Sequence, residues 1–215
     1  MREQVIQKVL EKKIVAIVRG VYGQDCLNLA KALHAGGIDL LEVTFDQSQP
    51  ENLERTSDTV KLLCDNLGDQ MFFGAGTVTS LKMLELAIDA GAAFIVSPDT
   101  NEDVIRATVA AGLVSMPGAM TPTEIVTAHG CGADFVKVFP TSSLGAGYIK
   151  AVCAPLNHIR MLAVGGVNEN NIGEFLAAGA VGAGIGGNLV NKKWIAAGEF
   201  DKITELAKQY VANSR

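Results

Sequence analysis

Short apolar runs recur along the chain, and most carry a polar residue at their C-terminal end. They are Ile14–Val18, Leu40–Phe45, Met71–Gly74, Ala93–Val96, Val114–Met116, Phe135–Phe139, Met161–Val164 and Gly182–Ile185. Between them lie stretches with helical spacing of apolar residues: Gln24–Ala35, Pro50–Leu67, Leu81–Ala90, Asn101–Ala111, Thr121–His129, Asn168–Ala178 and Asp201–Val211. Gly36-Gly37, Gly91, Gly112, Gly130 and Gly179 follow five of these stretches, as expected for left-handed helix stops. Ser80, Thr100 and Asn168 are the expected N-caps. Pro50 suits the first turn of its helix.

Strands alternating with helices predict a parallel sheet covered by helices. Eight such units in 215 residues predict an α/β fold of the closed (β/α)8 type, a TIM barrel, with residues 1–215 forming one domain. A helix over Gln4–Lys12 then stands outside the eightfold repeat, and Asp201–Val211 completes it. The alternative is a doubly wound open sheet. Against it, no Gly-x-Gly-x-x-Gly turn follows the first strand.

Composition narrows the class. With 48% hydrophobic and 19% charged residues the chain is globular. A net charge of −5 offers no basic field for nucleic acid or an anionic membrane, while a small anionic ligand needs only a local site. Cys26, Cys64, Cys131 and Cys153 form no C-x-x-C pair, and no matching histidine cluster suggests zinc. Reduced thiols and the lack of a signal-peptide core lead us to expect a cytoplasmic protein.

In such a barrel, function gathers where strands end. There the sequence places Arg19, Glu42, Thr44, Thr77, Ser97-Pro98, Pro117-Gly118, Lys137, Gly165-Gly166 and Gly186-Gly187-Asn188. Strand alternation turns Val136 and Val138 outward and Lys137 inward, with Phe135 and Phe139. A desolvated lysine loses preference for its ammonium form, and a free amine attacks a ketone to form an imine. A lysine that snorkels to the mouth, or pairs with a carboxylate, fits the same pattern. Glu42 faces inward by the same alternation, either as an acid/base group or as half of a buried ion pair. The paired glycines after strands seven and eight expose N–H groups at helix starts, an anion site or simply tight turns. Gly74-Ala75-Gly76-Thr77 reads as a ligand-approaching turn or a plain one. Arg19 can clamp a carboxylate or sit in a surface ion pair. His34, His129 and His158 fall on or beside helices and are read as structural, and Trp194 as packing or interface.

Taken in order, Ile14-Val15-Ala16-Ile17-Val18-Arg19, Leu41-Glu42-Val43-Thr44, Gly74-Ala75-Gly76-Thr77-Val78, Ile95-Val96-Ser97-Pro98, Met116-Pro117-Gly118, Lys137-Val138-Phe139-Pro140 and Ala163-Val164-Gly165-Gly166-Val167 span most of the chain. This set resembles the 2-keto-3-deoxy-6-phosphogluconate and 4-hydroxy-2-oxoglutarate aldolases. The resemblance implies a class I aldolase with Lys137 as the Schiff-base lysine and Glu42 as general acid/base. It implies that Thr77 and Arg19 anchor a pyruvate carboxylate and that Pro98 and Phe139 wall the imine. Gly165, Gly166 and Gly187 would bind phosphate. It implies no cofactor and no metal, a small keto-acid substrate, and a homotrimer.

Two departures from the family pattern bear on the substrate. Asp46 stands where some members carry Arg, and the eighth turn has Gly186-Gly187 where many have Gly-Ser, leaving Asn188 or backbone N–H groups to compensate. The galactonate-type relatives share the Arg19 pattern, so the galactonate epimer and 4-hydroxy-2-oxoglutarate stay open. From other classes, a phosphate-binding barrel isomerase or epimerase would keep both glycine turns without needing Lys137. A sugar-phosphate binding protein would tolerate loss of Lys137 or Glu42.

Overall fold

A computed structural model describes residues 1–49 and 51–215 and turns the recurring apolar runs into strands. These are β1 (Ile14–Val18), β2 (Leu40–Thr44), β3 (Phe72–Gly76), β4 (Phe94–Val96), β5 (Val114–Met116), β6 (Gly118–Ala119), β7 (Val136–Val138), β8 (Met161–Val164) and β9 (Gly182–Ile185). They form one sheet in the order β5-β4-β3-β2-β1-β9-β8-β7-β6, and every recorded pairing is parallel.

Eight expected strands become nine because the fifth, Val114–Met116, resumes beyond Pro117 as the short β6. Proline has no N–H to donate to a ladder. The halves divide the work: β5 pairs with β4, and β6 with β7. The N–H groups of Phe135, Lys137 and Phe139 reach the carbonyls of Ser115, Pro117 and Ala119 at 3.2, 2.8 and 3.0 Å. These bonds cross the interruption and draw the two ends of the sheet together into the barrel expected from the sequence.

The helices are α1 (Arg2–Lys12), α2 (Gly23–Ala35), α3 (Glu51–Leu67), α4 (Leu81–Asp89), α5 (Glu102–Ala110), α6 (Pro122–Gly130), α7 (Gly145–Cys153), α8 (Ile172–Ala177), α9 (Lys192–Ala196) and α10 (Phe200–Asn213). The expected start of α3 at Pro50 lies outside the described residues. Ser80 caps α4 as expected, accepting the Met83 N–H. The cap of α5 is Asn101 rather than Thr100. Thr100 instead donates its hydroxyl to the Gly118 carbonyl at 2.7 Å, tying β6 to the loop after β4. Gly130 is the last residue of α6, and the left-handed residue beyond it is Gly132, with φ 99°. The apolar spacing of the sequence predicts no helix at α7 or α9.

Asn168 does not open α8. Its side chain accepts the N–H groups of Asn170 and Asn171 at 2.9 and 3.2 Å, and Asn171 Oδ1 accepts the Asn168 N–H at 2.7 Å. Such local side-chain bonds compete with the first helical turn, so the helix starts four residues later than expected.

Two apolar layers fill the molecule. The outer one lies between sheet and helices and takes the outward residues Leu41, Val43, Val136, Val138, Ala163 and Ala183. The inner one fills the barrel with Val15, Leu40, Phe94, Val114, Phe135 and Leu162. Val5, Ile6 and Val9 of α1 belong to that inner layer, so α1 stoppers the N-terminal end of the barrel. Arg2 anchors it through a 2.9 Å ion pair with Asp134.

Candidate active site

The strand alternation that fills the barrel with apolar side chains is broken at two inward positions. Glu42 sits in register with Ile17 of β1 and Gly74 of β3, and Lys137 with Leu162 of β8. Both are buried, at 1% and 7% exposure, so each ionised form has lost most of its water. Glycines make the room. A Cβ on Gly76 would stand 1.7 Å from Glu42 Oε1, and one on Gly74 would stand 2.3 Å from the Phe94 ring. The bare face of β3 is therefore the space that the Glu42 carboxylate occupies.

The two groups feel each other without forming a direct ion pair among the described residues. Burial pushes the Glu42 carboxyl up from its ordinary value, against the charges of Lys137 and Arg19. Burial likewise pulls the Lys137 ammonium down, with Glu42 opposing and Arg19 reinforcing the shift. Desolvation thus dominates both. The result is a carboxyl that holds a proton more readily and a lysine that gives one up more readily. The Lys137 ammonium lies 5.0 Å from the centre of the Phe139 ring. These observations disfavour a plain structural ion pair and suit a nucleophile beside an acid/base group.

Above them opens a cavity of about 490 Å³. Its walls include the ten candidate catalytic and substrate-binding residues, Arg19, Glu42, Thr77, Pro98, Lys137, Phe139, Gly165, Gly166, Gly187 and Asn188, while Thr44, Ser97, Pro117 and Gly118 at the same strand ends do not line it. Thr77 holds φ at 58°, a left-handed conformation that is a genuine outlier for a β-branched side chain. Pro98 is placed by Gly118, whose Cβ would stand 2.4 Å from the Pro98 carbonyl carbon. Arg19 is exposed at the rim, free of any carboxylate partner among the described residues.

The glycine turns differ from expectation in one respect. Gly165 and Gly166 both have positive φ, 97° and 78°, but the helix behind them begins only at Ile172 and is short. Gly186-Gly187 is likewise separated from short α9 by four residues. The helix starts therefore do not frame the anion site. What remains is backbone. The Gly165 carbonyl accepts the Thr141 hydroxyl at 2.7 Å, and the Gly166 carbonyl accepts the Asn171 amide at 3.0 Å. Among the described residues, no hydrogen bond is formed by the N–H groups of Gly165, Gly166 or Gly187, and successive unpaired backbone N–H groups of this kind suit an anion. Asn188 has a structural task, donating its amide to the Val167 carbonyl at 3.0 Å and bracing one turn against the other.

Ile17, Val164, Val167, Gly184, Val190 and Lys192 also line the cavity and were not singled out from the sequence, whereas Gly186 of the eighth turn was. The apolar ones look like ordinary core in a sequence. Lys192 had a signal: Lys192-Lys193 follows the Asn191 cap at the helix end where cations are disfavoured. The histidines stay away from the cavity. His34 bonds Asp39 at 2.8 Å, and His129 packs edge-on against His158. Trp194 is half-buried against the outer apolar layer.

A barrel with a buried lysine and a buried carboxyl at its mouth defines the class of imine-forming lyases that make and break carbon–carbon bonds. The comparisons with known proteins narrow this. The family model for KDPG and KHG aldolases matches residues 5–206, and the chain belongs to that family. A 2-dehydro-3-deoxy-6-phosphogalactonate aldolase of Escherichia coli is 35% identical over 82% of this chain and 83% of its own. A 2-dehydro-3-deoxy-phosphogluconate aldolase of Pseudoalteromonas atlantica is 36% identical over 93% of this chain and 89% of its own. A KDPG aldolase from Legionella pneumophila, solved with pyruvate as a covalent carbinolamine, superposes with a TM-score of 0.83 at 27% identity, covering 94% of this chain and 96% of that one. The protein is thus an aldehyde-lyase of the KDPG aldolase type.

Proposed function

We propose that this aldolase reversibly cleaves 2-keto-3-deoxy-6-phosphogluconate to pyruvate and glyceraldehyde 3-phosphate, with Lys137 as the nucleophile. The observation that carries the reading is a desolvated lysine and a desolvated carboxyl facing one cavity without neutralising each other. The Lys137 amine adds to the C2 ketone, and loss of water from the carbinolamine leaves a protonated imine. Glu42 takes the proton of the C4 hydroxyl as the C3–C4 bond breaks. The bond's electron pair passes into the imine as an enamine, and the aldehyde leaves. Protonation of the enamine at C3 and hydrolysis of the imine release pyruvate and restore the amine. No further group is required, because the protonated imine is the electron sink.

Arg19 and Thr77 hold the carboxylate beside the imine. Pro98 and Phe139 wall off the reacting carbons. The N–H groups of Gly165, Gly166 and Gly187 receive the phosphate, with Asn188 holding the two turns at their spacing. Pyruvate with borohydride should leave a pyruvyl adduct on the peptide containing Lys137, read by mass spectrometry and missing from Lys137→Ala. If a known imine aldolase is labelled under the same conditions and this protein is not, the mechanism is wrong.

The galactonate epimer is the second reading. It is favoured by Arg19 at the end of β1, by Asp46 where some members carry Arg, and by the similarity to the galactonate enzyme of E. coli. A panel of both epimers, with and without phosphate, ranks them by kcat/KM. We also propose a homotrimer working in the cytoplasm. Exposed Leu81, Ile88, Met120 and Val126 supply apolar surface for assembly, and four unpaired thiols suit a reducing compartment. Sedimentation measures the first.

A further inference from the structure

Two cations stand at the mouth of the cavity, and they are not equivalent. Arg19 bears on the reacting centre, since its charge acts on both Glu42 and Lys137. Lys192 lines the same cavity as Gly165, Gly166, Gly187 and Asn188 and follows the glycine turn after β9, on the side of the cavity away from β2 and β7 in the strand order.

Lys192 reaches that place over a glycine. Its Nζ lies 3.0 Å from where a Cβ on Gly20 would stand, so the bare backbone after β1 is the slot across which the side chain extends. Gly20 holds φ at 67°, which any other residue would strain to adopt. The ammonium has no carboxylate partner among the described residues, so its charge is available to an anion in the cavity. The remaining donors at this end are neutral. The eighth turn has no hydroxyl, and one of the two Asn188 amide N–H donors is spent on Val167. Without Lys192, only neutral N–H donors on these turns would face a phosphate carrying close to two negative charges.

We propose that Lys192 is the specificity-determining residue for the far end of the substrate, its ammonium pairing with a terminal phosphate monoester held against the Gly165-Gly166 and Gly187 turns. The proposal rests on the aldolase reading for the identity of the substrate but not for the binding of the anion. Lys193, one residue on and outside the cavity lining, is the natural control for net charge.

The test uses the full chain and three variants, Lys192→Met, Lys192→Arg and Lys193→Met. Binding of glycerol 3-phosphate is measured by calorimetry, and kcat and KM on the 6-phosphorylated and unphosphorylated 2-keto-3-deoxy sugar acids by pyruvate release. A lost charge-assisted bond should weaken glycerol 3-phosphate about tenfold in Lys192→Met. The preference for phosphorylated over unphosphorylated substrate should fall by a similar factor, mainly through KM. Lys192→Arg should restore most of both, and Lys193→Met should move neither. An unchanged preference and affinity in Lys192→Met, an equal loss in Lys193→Met, or no binding of glycerol 3-phosphate by the parent protein overturns the proposal. The two readings fail separately. A parent that does not trap pyruvate on Lys137, yet loses phosphate affinity in Lys192→Met, keeps this proposal and loses the aldolase mechanism. The opposite pattern keeps the mechanism and loses Lys192.

Discussion

Thr77 is where a single residue holds strain next to chemistry. A β-branched side chain at φ 58° costs roughly 1–3 kcal/mol relative to a relaxed backbone, and the surrounding structure must impose it. Thr77 lines the cavity that Lys137 also lines. Thr77→Gly should therefore hold or raise the thermal midpoint while pyruvate binds less well. Thr77→Val should keep the strain and lose only the hydroxyl, so comparing pyruvate affinities of the two separates the side chain from the backbone. Lys137 gives a prediction with a sign. Imine formation needs the free amine, whose fraction rises with pH through a pKa lying below the ordinary lysine value. Arg19 helps to depress that pKa, so Arg19→Gln should move the rising limb of pyruvate trapping to higher pH. Glu42 opposes the depression, so Glu42→Gln should move the limb to lower pH. Trapping rates across a pH series read both shifts, and a common direction for the two variants would refute the electrostatic account.

At the scale of elements, β3 shows how a strand serves a neighbouring strand's side chain. Gly74 and Gly76 face inward and leave their volume to Phe94 and Glu42. Gly76 has no left-handed backbone, so its constraint is purely steric. Gly76→Ala should push the Glu42 carboxylate aside and cost about 10²–10⁴ in kcat, the usual range for a displaced acid/base group. Pyruvate trapping on Lys137 should survive better than turnover. The sequence made the inward faces of β2 and β7 legible, because a charged residue between apolar neighbours at period two has one consistent placement. It also made all ten candidate positions legible as one end of a barrel. It did not reveal the break at Pro117, since a proline in a strand signals interruption without saying that the neighbouring strand will bond across it. Nor did it reveal the delayed start of α8, where Asn168, Asn170 and Asn171 close a turn that a cap rule reads as the helix. Lys192 was legible only as a cation misplaced at a helix start, because α9 is too short to show a period and the space over Gly20 exists only once β1 and β9 are side by side.

The whole molecule divides stability from function along the barrel axis. At the C-terminal mouth, burial shifts two ionisable groups toward their uncharged forms. At the other end, α1 supplies only apolar contacts and anchoring ion pairs: Val5, Ile6 and Val9 enter the inner layer, Arg2 pairs with Asp134, and Lys12 reaches Asp39 at 2.9 Å. Asp134 also accepts the Ser115 N–H at 3.0 Å, so the anchor of α1 is shared with the strand that Pro117 interrupts. The stopper therefore steadies the barrel where its sheet is weakest, and it does so far from the substrate. Val9 is fully buried, and Val9→Ala removes two methyl groups from a packed layer, a loss of roughly 1–3 kcal/mol by area and cavity. In a chain of this size each kcal/mol lowers the thermal midpoint by about 2–4 °C. The variant should melt several degrees lower while kcat/KM at 25 °C stays within about twofold of the parent, as expected of a change remote from the reacting atoms. A loss of turnover without a loss of melting temperature would mean that α1 acts on the mouth through the barrel interior, past Phe94 and Phe135 to Lys137, and that the two ends are not separate.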